Sequence, residues 1–429
     1  VHCKRQSYDV GSEMYPSVQM VHDVGEKRRR QARLNDRPYF MCEYAHAMGV
    51  GPGNTEAYWQ EIYRYDSLIG GCVWEMVDHA VLHDDGSYTY GGDHGEWEHD
   101  RNFCVDGLFY PDRTPSTGAK LMRFIYRPIR AAHLGGEQFE IFNTTAFSVG
   151  RYNLTFRWND GSETILTPQT APLTKGTVTV PLGSAVDGLL AVTVEATDTV
   201  TGQAVSEEQL VLAQTVAPAP AVKPLPGDAT VESGRLVCRR GGAVLLAGTD
   251  EGTLLYRAPT DNDVDFMFRN LMTPYAHQSE EIVSSQAIAD GWQVVTKLRN
   301  RRGSCTVTDT YQGTDRGVLV TSVLHHEFGT REIPRFGKCF RLDALFDAVH
   351  YVGRCGESYC DMKDQFPIRA VDCTVADMTE PNLCPQESGN RMDCTLASVS
   401  DSKTRIVFEA VDKPFELAVK PYTDRALLD

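Results

Sequence analysis

Arg37-Pro-Tyr-Phe-Met-Cys-Glu-Tyr-Ala-His-Ala-Met-Gly49 is the stretch on which the reading of this chain turns. Its residues Tyr39 to Cys42 are mostly apolar and predict a short buried strand. A carboxylate, Glu43, stands where that strand ends, followed by Tyr44, His46 and a glycine-rich turn, Gly49-Val-Gly-Pro-Gly53. A buried parallel strand that delivers an acid to a loop mouth is how a (β/α)₈ barrel presents catalytic groups at its C-terminal face. Taken singly, Glu43 would also suit a strand-capping acid bonded to a turn, since many acids have structural roles.

Around this stretch the first 125 residues alternate helix and strand. Val18 to Leu34 has helical periodicity and ends in a basic cluster, Lys27 to Arg30 with Arg33, which reads as a solvated helix face rather than a phosphate site. A helix is predicted from Asn54 to Tyr65 and a buried strand over Gly70 to Val77. About two strand–helix units are visible, where a barrel needs eight, so residues 1–125 read as the C-terminal part of a TIM barrel. Residues 126–216 turn to strands alone: Gln138–Asn143, Arg151–Trp158, Thr177–Pro181 and Leu189–Thr197, with turns such as Asn159-Asp-Gly161. That spacing predicts an immunoglobulin-like sandwich. Residues 217–228 are too proline-rich for an element interior and form a linker. Strands resume over residues 229–429 at intervals that suit a large antiparallel sandwich. The fold class is therefore multidomain, α/β followed by all-β.

The formal charge of −16 argues against nucleic acid and anionic membranes and suits a neutral substrate. No apolar run is long enough to cross a bilayer. The N-terminus, Val1-His-Cys-Lys-Arg-Gln6, shows no signal-peptide pattern, and the twelve cysteines are scattered with no Cys-x-x-Cys pair. Reduced thiols and a cytoplasmic location are expected, with Cys42 and Cys72 as small hydrophobes inside strands.

Cys42-Glu-Tyr-Ala-His-Ala-Met-Gly49 resembles the nucleophile segment of the large retaining β-galactosidases of glycoside hydrolase family 2. Three further stretches match in order: Gly70-Gly-Cys-Val-Trp-Glu-Met-Val-Asp78; Tyr90-Gly-Gly-Asp-His-Gly95 with Asp100-Arg-Asn-Phe-Cys-Val-Asp-Gly-Leu108 and Asp112-Arg-Thr-Pro115; and Arg257-Ala-Pro-Thr-Asp-Asn-Asp263, similar to the opening of the family's last sandwich. Nearer the end, Asn382-Leu-Cys-Pro-Gln-Glu-Ser-Gly-Asn-Arg391 keeps a Pro-Gln-Glu core without the usual preceding tyrosine, and Gly353-Arg-Cys-Gly-Glu-Ser-Tyr359 is one residue shorter than its counterpart.

The resemblance implies double displacement on lactose-like β-galactosides with Glu43 as nucleophile, which calls for a second carboxyl group about 5–5.5 Å away as acid/base. It makes Tyr15 the tyrosine that contacts the nucleophile, His46 a ligand of the sugar hydroxyls and Trp74 the apolar platform for the sugar. It places Phe103 and Asp106 at a sodium site, where Asp106 replaces the family's usual Asn and adds a charge. Glu75 and Asp78 read as structural, and the group His94, Glu96, Glu98 and His99 lacks the frame of a zinc site. The family's general acid/base glutamate follows an Asn, and no Asn-Glu pair occurs in this chain. The acid/base, the ligands of the family's Mg²⁺, the N-terminal domains, the early barrel strands and the extreme C-terminus are thus expected to be missing, leaving this chain with little or no activity alone. At full length a homo-oligomer is expected. Two alternatives remain: another family 2 specificity such as β-glucuronidase, and a non-catalytic carbohydrate-binding or assembly module.

Overall fold

The structure, a computed structural model, describes residues 9–28, 35–266, 273–329, 333–343 and 345–427. Glu43 belongs to a three-stranded parallel sheet whose central strand is β2, Tyr39–Tyr44, flanked by β1, Gly11–Met14, and β3, Leu68–Val73. The connections are helices, α1 (Val18–Gly25) between β1 and β2 and α2 (Thr55–Arg64) between β2 and β3. A third helix, α3 (Thr117–Ile125), packs Leu121, Met122 and Ile125 into the same core as Val21, Val24, Tyr39, Met41 and Tyr44. The sheet is open, so the described residues hold part of a barrel rather than a closed one.

Two predicted boundaries move. The helix expected over 18–34 stops at Gly25, because Lys27 adopts the left-handed conformation (φ +57°) that usually falls to glycine. Lys27 N–H then donates to Val24 O and Arg28 N–H to Asp23 O, closing the helix end. Arg29, Arg30 and Arg33 of the basic cluster lie outside the described residues, as do residues 1–6 and 428–429. The strand expected over 70–77 starts at Leu68 and ends at Val73, which leaves Trp74 just beyond its tip. Strand β1 had no sequence signal, since Gly-Ser-Glu-Met carries no apolar run. Its pairing to β2, Gly11 opposite Tyr39 through Met14 opposite Glu43, forms it instead.

From residue 129 the chain is almost entirely antiparallel. A three-stranded and a four-stranded sheet share a core of Phe139, Ile141, Leu154, Phe156, Trp158, Val192 and Val194. Alternation explains it: in Gln138–Asn143, Phe139, Ile141 and Asn143 are buried while the residues between them face outward. After the proline-rich run, three further four-stranded sheets follow, again with antiparallel pairing. No disulfide joins the described cysteines, and Cys72 is exposed rather than a core hydrophobe, because β3 turns that face outward. Among the described residues, no helix is long and apolar enough to cross a membrane.

Candidate active site

The backbone brings the site together first. Between β1 and β2 the register shifts at Glu13 and Met14, so that Met14 pairs with Glu43 and Cys42 is skipped. Such irregularities re-aim side chains next to functional sites. Here Tyr44 turns into the core while Glu43 stays half-buried at the strand's end. Tyr15 N–H donates to Glu43 O at 2.8 Å, and Trp74 N–H donates to Tyr44 O at 3.2 Å. Ala47 N–H closes the circuit onto Trp74 O at 2.7 Å. Residues after three adjacent parallel strands therefore meet at one mouth, the C-terminal end of the sheet.

The side chains follow. The Tyr15 hydroxyl lies beside the Glu43 carboxylate, and partial burial together with that neighbouring charge holds the phenol far above its ordinary value. Tyr15 meets the His46 ring edge-on at 5.9 Å between centroids, and the Phe103 ring lies 5.5 Å from the His46 ring, also between centroids. His46 Nε2 is 3.7 Å from Asp106 Oδ2, the oxygen that also accepts from Trp74 Nε1 at 2.9 Å. Trp74 keeps 39% of its surface exposed, so the indole is anchored at its nitrogen and open along its ring. All six sequence-selected residues, Tyr15, Glu43, His46, Trp74, Phe103 and Asp106, thus fall within one neighbourhood.

Glu75 was read as structural, yet it joins this group. Its backbone N–H donates to Asp106 O at 3.0 Å, and its carboxyl lies 3.3 Å from His79 Nε2. Burial first, and then the Asp106 carboxylate, raise it above its ordinary value. Asp78 accepts from Gly107 N–H at 2.8 Å, and burial pushes it up to about 6. Sequence spacing could not separate these two acids, because the chain turns sharply after Trp74 and only the fold decides which one reaches Asp106.

Asp106 also allows a test of the cation assignment. The residue is 3% exposed, its Oδ2 is used by Trp74, and its Oδ1 is buried without a hydrogen-bond partner. A buried carboxylate oxygen left over is costly unless a cation or water meets it. This donor fits a hard cation that takes oxygen ligands. No three His, Cys, Asp or Glu side chains converge as ligands among the described residues, and His94 and Glu96 instead spend their polar atoms on Thr89 and on nearby backbone N–H groups.

Comparison with known proteins now bears on the whole chain. Residues 2–131 match the family model described as "Glycosyl hydrolases family 2, TIM barrel domain", and residues 231–429 match "Beta galactosidase small chain". The chain belongs to glycoside hydrolase family 2. It is 26% identical to a β-galactosidase of Staphylococcus xylosus, with 99% of this chain and 48% of that relative aligned. It is 27% identical to one of Priestia megaterium, over 98% of this chain and 45% of the relative. A β-galactosidase of Actinobacillus pleuropneumoniae is 41% identical over a shorter stretch, 33% of this chain and 13% of its own length. This family 2 chain therefore spans about half the length of the first two relatives it matches.

Proposed function

We propose that this chain carries the nucleophile-bearing part of a retaining β-galactosidase. The observation that supports this best is Glu43 at the end of β2 with the Tyr15 hydroxyl beside it, His46 against the Tyr15 ring, and the Trp74 indole bonded to the Asp106 carboxylate that lies near His46. Glu43 attacks the anomeric carbon of a terminal β-galactoside, the bond to the leaving oxygen breaks, and that oxygen takes a proton from a carboxylic acid outside this chain. The galactosyl ester on Glu43 is then cleaved by water, with the same external carboxylate removing the water's proton. The Tyr15 hydroxyl donates to the nucleophile and keeps it oriented before attack. His46 faces the sugar hydroxyls, and the open face of Trp74 covers apolar C–H surface of the ring. A sodium ion at Asp106, with Phe103 beside it, would neutralise the left-over carboxylate oxygen and fix an oxygen of the sugar there.

The same reading assigns residues 126–216 to an immunoglobulin-like sandwich and residues 229–429 to the large sandwich of the β-galactosidases. It makes the complete protein a cytoplasmic homo-oligomer with its Mg²⁺ held outside this chain, acting on lactose-like substrates. Calorimetric titration with a galactose-configured iminosugar, set against a glucuronic-acid-configured one, tests the specificity. Binding of the first alone, weakened at least tenfold by Trp74→Ala, is expected. Preference for the second would overturn the galactoside assignment, and binding of neither would sink the site itself.

A further inference from the structure

Far downstream residues reach into the rim of this site. The glycine-rich turn that follows His46 is held by Asn262 and Gln386: Asn262 Nδ2 donates to Met48 O at 3.1 Å, and Val50 N–H donates to Gln386 Oε1 at 3.2 Å. Gln386 is 4% exposed and bonds Asp261 twice, through Asp261 N–H to Oε1 at 3.2 Å and Nε2 to Asp261 Oδ2 at 2.7 Å. Asp261 uses its other oxygen elsewhere. Its Oδ1 accepts from Asn102 Nδ2 at 2.9 Å, and Asn102 immediately precedes Phe103, the ring that lies on His46. A continuous path therefore runs from the turn at Val50 through Gln386, Asp261 and Asn102 to Phe103, and closes on His46 through the Phe103 ring.

We infer that Asp261 is a positioning residue for the proposed site: with Gln386 it forms a buried clasp that fixes the His46 turn and the Phe103 loop relative to each other. Asp261 is 4% exposed and touches neither Glu43 nor the open face of Trp74 in any contact described above, so it acts through the segments it joins. Carboxylate acceptance from two side-chain amides is stronger than a neutral bond, and burial keeps water from competing. The glycine at position 49 is part of the same device. It sits at φ +62°, and a Cβ there would lie 2.0 Å from Gln386 Oε1, so the turn is bare where the clasp grips it. Sequence alone separates these partners by 159 and 125 positions, which is why neither spacing nor periodicity could connect them.

This inference rests on the galactosidase reading for its effect on chemistry but not for its effect on the fold, and the test separates the two. Hydrogen exchange on the full chain would be followed in peptides covering residues 46–54 and 99–106, for the wild type, Asp261→Ala, Asp261→Asn and the double variant Asp261→Ala/Gln386→Ala. The clasp predicts that Asp261→Ala speeds exchange at least tenfold in both peptides while the sheet of residues 189–214 keeps its protection. Asp261→Asn, which retains one acceptor, should loosen them less. Gln386→Ala added to Asp261→Ala should change little more, because both act through one path. The same four proteins are then incubated with a 2-deoxy-2-fluoro-β-galactoside. If the wild type is labelled at Glu43, Asp261→Ala should slow labelling by roughly 10- to 100-fold, the cost of an ångström-scale misplacement. Unchanged exchange in either peptide, or loss of protection across the whole chain, overturns the clasp. Absence of labelling in the wild type overturns the galactosidase reading and leaves the exchange result to decide the clasp.

Discussion

Trp74 Nε1 donates to Asp106 Oδ2 at 2.9 Å, which ties the indole beyond β3 to a buried carboxylate 32 positions later. The bond sets the plane of the ring, and the carboxylate in turn faces His46. Replacing Asp106 by Ala would strand the indole N–H in a partly buried position. Such a loss costs about 1–3 kcal/mol. The denaturation midpoint of Asp106→Ala is expected to fall accordingly and its tryptophan emission to shift, whereas Asp106→Asn keeps an acceptor and should lie close to the wild type in both. Equal midpoints for the wild type and Asp106→Ala would contradict this anchoring.

Glu357 predicts a dependence of stability on pH. It is 1% exposed, accepts from Gly389 N–H at 2.6 Å and from Thr117 Oγ1 at 3.3 Å, and so joins the start of α3 to the last part of the chain. Burial first, and then the nearby Glu380 carboxylate, push it up to about 7. The unfolded chain releases this proton near the ordinary value of 4.5, while the folded chain holds it until about 7. Folding therefore binds a proton across that window, and the stability this group contributes declines as pH rises through it. Thermal unfolding between pH 5 and pH 8 should show a lower midpoint at the alkaline end. Glu357→Gln, which titrates nowhere in the range, should flatten the slope. An unchanged slope in Glu357→Gln would contradict the assignment.

Gly118 gives a prediction of opposite sign to the usual rule. A glycine inside a helix ordinarily costs about 0.5–1 kcal/mol relative to alanine. At Gly118 in α3, however, a Cβ would lie 2.2 Å from the backbone oxygen of Gly51, in the turn that follows the His46 segment. A backbone atom cannot swing aside as a side chain can, so overpacking of about 1–3 kcal/mol is expected. Gly118→Ala should therefore unfold at lower denaturant than the wild type; a stabilised variant would show that the turn yields freely.

Much of this arrangement is legible in the amino-acid sequence. The run at Tyr39–Cys42 alternates too little for a half-exposed strand, and it is the central strand of the parallel sheet. Later strands such as Gln138–Asn143 and Arg405–Glu409 fall where their alternation puts them, because one face of each sheet is buried. Residues such as β1 were not legible, since pairing to β2 rather than composition makes that strand. In the site, motif likeness selected Glu43, His46, Trp74, Phe103 and Asp106, all of which the fold brings to one mouth. It passed over Glu75, whose contact with Asp106 depends on the turn after Trp74, and over Asp261 and Gln386, whose partners lie more than a hundred positions away. Long-range hydrogen bonds leave no periodic trace in a sequence.

The central claim is that Glu43 is a nucleophile. It is met most directly by mass spectrometry after incubation with a 2-deoxy-2-fluoro-β-galactoside bearing a reactive leaving group, a probe that needs a nucleophile and leans little on a general acid. The probe would be applied to this chain, to a longer protein in which the rest of the barrel is restored, and to both with Glu43→Gln. The account predicts a fluorogalactosyl adduct on the peptide containing Glu43 in the longer protein, lost in Glu43→Gln, and the same adduct in the shorter chain wherever its sheet holds Tyr15 against the carboxylate. An adduct on a different residue, or none in either wild-type protein, would contradict it.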